Sequence, residues 1–321
     1  MKTGLVLGID IGGTFTKIGL VNRAGKTFGT KVFRTGSQAP FEDFREKLKS
    51  EVALLLKGGK DSLPLLAIGV GAPNANTITG QMEQAPNFAW GPAVPLVATI
   101  KEWYNLPVYL ANDANAAALG ELYYGAGKDL DNFVVLTLGT GLGSGIIVNG
   151  RLLTGAHGMA GELGHVNVYP EGRRCNCGLN GCLETYVSAT GIKRTIFELL
   201  SEKLAPSPLR NISFNELVGE QIADAAIAGD EIALEAFART AAILGSKMAD
   251  TVAHLDPEAF IITGGLSKAG DILMLPLMAS MEKSLFGAYR NKVRVIISSA
   301  AGDMAVLGPA ALAWLHLEQD R

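Results

Sequence analysis

Asp10-Ile-Gly-Gly-Thr14-Phe-Thr-Lys17-Ile-Gly-Leu-Val-Asn22 and Thr137-Leu-Gly-Thr-Gly141-Leu-Gly-Ser-Gly-Ile-Ile-Val-Asn149 align without a gap, and each follows an apolar run, Leu5 to Ile9 and Phe133 to Leu136. Apolar run, glycine-rich turn, second apolar run and polar turn spell a β-hairpin both times. Two copies of one hairpin predict two related lobes. Glycine permits positive φ and close backbone approach, so one such turn is weak evidence for a ligand. A matched pair is better explained by a nucleotide held between the lobes, its phosphates met by backbone N–H groups of both turns. The candidates are Asp10, Gly12, Gly13, Thr14, Thr16 and Lys17 in the first copy and Thr137, Gly139, Thr140 and Gly141 in the second. Asp10, at the end of a buried strand, is placed to hold a hydrated magnesium ion. The spacing is not that of a Walker A loop, and the glycines open into a strand rather than the helix of a dinucleotide fingerprint.

The sequence between the hairpins alternates in type. Phe41, Phe44, Leu48, Val52 and Leu55 fall at helical spacing within 41–57, and 65–70 reads as a buried strand. Residues 94–104 read as a helix, 108–111 as a strand and 114–124 as an alanine-rich helix. The same order follows the second hairpin, with helices near 188–200 and 231–254 before a strand at 259–263. The expectation is an α/β chain with a mixed sheet in each lobe. The first lobe is expected over 1–112, joined by a C-terminal helix at 304–321, and the second over 113–303. Residues 201–213, with Pro206 and Pro208, read as an exposed loop. The run from Ile272 to Met278 reads as core or interface.

The chain has three cysteines, and all lie in one short stretch, Cys175-Asn-Cys177-Gly-Leu-Asn-Gly-Cys182-Leu-Glu184, ten residues after His165. Three thiolates and an imidazole in one glycine-punctuated loop are a ligand set for tetrahedral zinc. A disulfide would leave one thiol over, and Cys175 and Cys177 are too close to bridge comfortably. Met1-Lys2-Thr3 leads straight into a strand-like run without an export leader, which points to a reducing cytoplasm. His157, His254 and His316 read as ordinary structural or exposed histidines.

Charged residues, glycine or proline interrupt every apolar run before membrane-spanning length, although 48% of residues are hydrophobic. A net charge of −3 gives no electrostatic footprint for nucleic acid. The balance suits an enzyme acting on small molecules.

Together, Asp10-Ile-Gly-Gly-Thr14, the stretch from Leu138 to Gly164-His165, and the Cys175, Cys177, Cys182 set resemble the ROK family of bacterial repressors, open reading frames and sugar kinases. The resemblance spans essentially the whole chain. It implies an actin-like, hexokinase-type ATPase fold with ribonuclease H-like lobes and a hexose and MgATP bound between them, and a homo-oligomer, dimer or tetramer, is expected. Glucokinase is the nearest activity, with N-acetylmannosamine, N-acetylglucosamine or fructose kinase as the alternative. By position, the resemblance makes Asp113 the general base and Asn87, Asn112, Glu162, His165 and Glu184 the sugar ligands. It makes His165, Cys175, Cys177 and Cys182 the zinc ligands, and Gly264 and Gly265 part of the adenosine-side motif.

Two positions depart from the family pattern: Thr263 stands where many members have glycine, and so does Asn74. The residue-level alternative for Asp113 is a helix N-cap before the alanine-rich run. A sugar-responsive repressor would need a helix-turn-helix, for which no residues precede the first strand. A silent sugar sensor is the other rival, opposed by Asp113 and the paired phosphate turns.

Overall fold

Both hairpins form, and each seeds a sheet with the same strand order. In the computed structural model, which describes residues 4–58, 63–298 and 304–319, strands β1 (Leu5–Ile11), β2 (Phe15–Val21) and β3 (Thr27–Arg34) make an antiparallel meander. Then come α1 (Phe41–Gly58) and β4 (Leu65–Ala72). A small sheet of β5 (Ala75–Asn76), β6 (Gln81–Glu83) and β7 (Ala93–Val94) precedes α2 (Leu96–Lys101), β8 (Val108–Asn112) and α3 (Asp113–Tyr124). The first sheet is ordered β3-β2-β1-β4-β8, with β4 parallel to β1 and β8 parallel to β4.

The pattern then repeats with β9 (Phe133–Leu138), β10 (Leu142–Val148) and β11 (Arg151–Leu152). Helices α4 (Ala189–Glu202), α5 (Gly219–Ile227) and α6 (Glu231–Leu255) lead to β12 (Ala259–Thr263), α7 (Asp271–Ser284), β13 (Arg294–Ile297) and α8 (Met304–Gln319). The second sheet is ordered β11-β10-β9-β12-β13, with β12 parallel to β9 and β13. Asp10 pairs with Gly71 of β4, and its equivalent Thr137 pairs with Thr263 of β12. The repeat is therefore one of register as well as of sequence.

The chain divides into two compact units, Met1–Asp131 with Gly145–Gly161 and Ser298–Arg321, and Asn132–Ser144 with Glu162–Ile297. In the first, α8 lies against the sheet over a row of paired glycines, Gly19, Gly8 and Gly69. A Cβ on Gly8 would stand 2.2 Å from the Val306 carbonyl oxygen, and one on Gly69 would stand 1.8 Å from that of Pro309. Only glycine admits the helix backbone this close. Helix α3, which the sequence reading places after residue 112 in the second lobe, packs on α8 within this first unit, a Cβ on Gly308 falling 2.5 Å from the Ala116 carbonyl oxygen. The core under α1 is aromatic, with the Trp90 ring 4.5 Å from Phe44 and 5.3 Å from Phe41.

Several sequence expectations change. The helix expected over 94–104 shortens to Leu96–Lys101, because Val94 pairs with Met82 in the small sheet and Pro95 ends that strand. The exposed loop expected at 201–213 is exposed at Leu204 but turns inward at Pro208–Asn211, a short 3-10 helix that buries Leu209. The Ile272–Met278 run lies in α7 and buries Leu273, Met274 and Leu277. Met1–Thr3, residue 303 at the expected lobe boundary, and the last two residues of the 304–321 helix lie outside the described residues. Among the described residues, no helix is long and apolar enough to cross a membrane.

Candidate active site

In the first unit, the parallel strands bring three chain segments to one sheet edge. Asp10, Gly71 and Ala111 share a level across β1, β4 and β8, and Asn112 sits opposite Ala72, one residue nearer the carboxyl ends. Carboxyl ends of parallel strands are where such sheets place ligands. Asn112 is the N-cap of α3: its Oδ1 accepts from the Ala114 N–H at 2.9 Å, which leaves its amide nitrogen as a donor. The capping alternative for Asp113 therefore falls to Asn112. Asp113 is the first helical residue, its Oδ1 accepting from the same N–H at 2.8 Å. Close approach at Gly71, where a Cβ would lie 3.2 Å from that of Ala116, lets α3 begin against the sheet.

The two carboxyls of this edge are perturbed in one direction. Burial pushes Asp10 up to about 7, the charge of Asp113 adds to the rise, and Lys17 opposes it. Asp113 is reached by solvent, yet protein crowds it closely enough that lost hydration holds its carboxyl above the usual range, against the pull of the backbone N–H bonds. Carboxyls raised toward neutrality beside a strand edge suit proton transfer. Two residues on, Asn115 is buried, and its Oδ1 has no hydrogen-bond partner among the described residues.

The first turn, Gly12 to Thr14, is braced from behind. The Thr35 hydroxyl donates to the Gly12 carbonyl at 2.6 Å and its N–H to that of Thr14 at 3.0 Å. Thr16 is fully buried with its hydroxyl 2.9 Å from that of Thr35, so it supports the turn from inside, whereas Gly13 and Thr14 are exposed. Lys17 is half-buried. Asn87 is exposed on a loop, its carbonyl accepting from Gln38 at 3.0 Å.

In the second unit, the turn Gly139-Thr140-Gly141 follows Thr137 and Leu138 at the end of β9, and the Ala189 N–H at the start of α4 donates to the Gly139 carbonyl at 2.9 Å. Gly264 and Gly265 follow β12. Added side chains sort these glycines. At Gly13, Gly139 and Gly265 a Cβ would meet nothing within 4 Å, whereas at Gly12 it would meet the Phe15 carbonyl, at Gly141 the Glu184 carboxylate and at Gly264 the Leu138 backbone. Each motif thus holds one glycine where a Cβ would meet the protein's own atoms and one that leaves open space.

His165, Cys175, Cys177 and Cys182 come together with their donor atoms all within 4.8 Å of one another. Cys177 Sγ lies 3.7 Å from Cys182 Sγ, and His165 Nδ1 lies 3.8 Å from Cys175 Sγ. Zn–S bonds of about 2.3 Å in a tetrahedron give edges of about 3.8 Å, so the four donors fit a closed zinc site. No disulfide forms among them. Burial pushes the Cys175 and Cys182 thiols up, Glu184 adding to the first and Cys177 to the second. His165 Nε2, on the side away from Cys175, is 4.0 Å from Glu162 Oε2. Glu184 Oε1 accepts from the Cys175 thiol at 2.9 Å.

A profile of the ROK family matches residues 6–315. The chain belongs to the ROK family. Among its relatives, the glucokinase of Halalkalibacterium halodurans is 37% identical over 318 residues, 98% of this chain and 95% of that protein. The glucokinase of Thermotoga maritima is 36% identical over 315 residues, 96% of each. The solved ROK glucokinase of Streptomyces griseus, in complex with glucose and AMPPNP, superposes with a TM-score of 0.82 at 33% identity, covering 97% of this chain and all of that one.

The two departures from the ROK pattern have local reasons. Asn74 has φ of 49°, a left-handed conformation that asparagine tolerates better than other non-glycine residues, so it can serve at a position where the family pattern expects glycine. Thr263 ends β12 in regular pairing with Thr137, and positive φ begins only at Gly264.

Sequence reasoning also missed what holds the cysteine loop. Arg173 donates to both carboxylate oxygens of Glu198, to the carbonyls of Thr185 and Gly191, and to the Thr195 hydroxyl, with its guanidinium 4.5 Å from the Tyr186 ring centre. The Tyr186 hydroxyl accepts from the Arg173 N–H at 2.8 Å. Arg173→Ala is expected to cost about 2 kcal/mol or more, because it strands buried acceptors. Urea unfolding checks this: the midpoint drops, and Arg173→Lys restores it only in part, since lysine lacks the planar fork.

Proposed function

We propose that the protein is an ATP-dependent glucokinase, converting glucose and ATP to glucose 6-phosphate and ADP. The observation that carries this reading is 37% identity to a glucokinase along nearly the whole of both chains. The catalytic base is Asp113. Phosphoryl transfer passes through a loose transition state, so the protein's task is to aim the nucleophile and neutralise spread charge. Asp113 accepts the proton of the 6-hydroxyl as the new O–P bond forms and the bond from the γ-phosphorus to the bridging oxygen of ADP breaks. The Asn112 amide, left as a donor by its capping geometry, orients the sugar, with Glu162, His165 and Glu184 on further ring hydroxyls and Asn87 at the margin. Gly13, Thr14, Gly139 and Thr140 offer backbone N–H groups to the phosphates, and Gly264 and Gly265 border the adenosine.

Asp10 is the residue to hold the hydrated magnesium that accompanies ATP and spreads its negative charge. His165, Cys175, Cys177 and Cys182 hold a structural zinc that ties the loop together so that Glu184 and Nε2 of His165 are fixed for the sugar. The setting is the cytoplasm, where reduced thiols persist as metal ligands.

A coupled assay with MgATP and a hexose panel tests the substrate. Glucose is expected to exceed fructose, N-acetylglucosamine and N-acetylmannosamine in kcat/KM by about tenfold or more, since each partner that the bound sugar covers and leaves unpaired costs about 1–3 kcal/mol. A higher value for N-acetylmannosamine or fructose would overturn the assignment to glucose.

A further inference from the structure

The second phosphate turn and the cysteine loop meet at one point. The side chain that glycine lacks at position 141 would stand 2.6 Å from Oε2 of Glu184 and 3.7 Å from its Cδ, with no other atom within 4 Å. Gly141 does not have a left-handed φ, so its backbone conformation does not call for glycine. What the missing side chain accommodates is the Glu184 carboxylate. Gly139, in the same turn, differs in this respect, because a Cβ there would face open space.

The surroundings hold this contact in place. Ser188 donates to the Glu184 carbonyl at 2.7 Å and, as N-cap of α4, accepts from the Gly191 N–H. The next residue, Ala189, donates to the Gly139 carbonyl at 2.9 Å. The turn and the backbone of residue 184 are thus tied to the same helix start, and from there the Glu184 carboxylate reaches the space over Gly141, with the Cys175 thiol 2.9 Å from its Oε1.

We propose that Gly141, although it belongs to the second phosphate turn, is a positioning residue for Glu184, keeping clear the space in which that carboxylate is aimed at the sugar. The proposal rests on the reading of Glu184 as a sugar ligand. A methyl group at 141 meets the far end of a flexible side chain, so the protein accommodates it by swinging the carboxylate aside rather than by unfolding. The backbone N–H of residue 141 is retained. The phenotype is therefore a sugar phenotype from a position in a phosphate turn.

The test is steady-state kinetics on Gly141→Ala, Glu184→Ala and the double variant, with thermal melting and zinc content measured on each. Gly141→Ala is expected to raise KM for glucose about tenfold, change KM for ATP by less than about threefold, and leave the melting temperature and zinc content near those of the parent, misplacement of a binding group being costly without loss of fold. If it acts through Glu184, it adds less than about twofold to the glucose KM in the Glu184→Ala background, as contacting residues in a double-mutant cycle should. A larger effect on ATP than on glucose, or full multiplication of the two single effects, would overturn the proposal. A normal glucose KM for Gly141→Ala beside a weakened Glu184→Ala overturns this inference alone. A normal glucose KM for Glu184→Ala overturns the sugar-ligand reading and this inference with it.

Discussion

Asp113→Asn should lower kcat by about a hundredfold or more while glucose still binds, because a positioned general base contributes about a hundredfold to ten-thousandfold and an amide cannot take the proton. The geometry makes this a clean substitution. Asn112 caps α3, so the helix keeps its N-cap, and an amide oxygen at 113 can accept from the Ala114 N–H as the carboxylate does. A KM-against-kcat comparison separates this from a folding defect: an interaction made mainly in the transition state lowers kcat with little change in glucose affinity. As the proposed base, Asp113 must be ionised to act, and lost hydration raises its pKa. The acid limb of the kcat/KM profile should accordingly lie above the ordinary carboxylate range, with activity lost as pH falls through it. Near-parental turnover in a folded Asp113→Asn protein would reassign the base, and Asp10, also raised and electrostatically coupled to Asp113, would be the next residue to examine.

The duplicated hairpins were legible because their signal is local. Strand, three-residue turn and strand are written in consecutive residues, and the shared register of Asp10 with Gly71 and of Thr137 with Thr263 follows from the same pattern. The four metal-ligand candidates were legible for the same reason, lying within eighteen residues from His165 to Cys182. What was not legible depends on partners distant in sequence. Thr16 reads as a ligand residue beside a glycine turn until Thr35, nineteen positions away, takes its hydroxyl. Gly8, Gly19 and Gly69 carry no turn signal, and their purpose exists only once α8 returns from the far end of the chain to lie over them. Arg173 looked like one more charged loop residue, and its value comes from Glu198 and Thr195 on a helix that starts sixteen residues later. The placement of α3 could not be read from its sequence position after β8, since its packing partner is α8.

Removal of zinc should cost glucose affinity about tenfold or more and ATP affinity much less. Two routes lead to this result. The loop from Cys175 to Cys182 encloses few apolar side chains, so metal ligation supplies order that no hydrophobic core replaces, and binding free energy at such sites is folding free energy. The second route runs through one atom. Cys175 Sγ stands 2.9 Å from Glu184 Oε1, so a cysteine that ligation would fix lies directly against the carboxylate proposed as a sugar ligand. Ligation would hold Cys175 in place, and with it the face of Glu184 that the sulfur touches. Elemental analysis of the purified protein should find about one zinc per chain, as one closed four-ligand set requires. Calorimetric titration before and after chelation then reads the two affinities separately, and limited proteolysis reads the order of the loop. Equal losses for glucose and ATP would point to general unfolding instead, and full glucose affinity in zinc-free protein would show that the loop holds Glu184 without a metal.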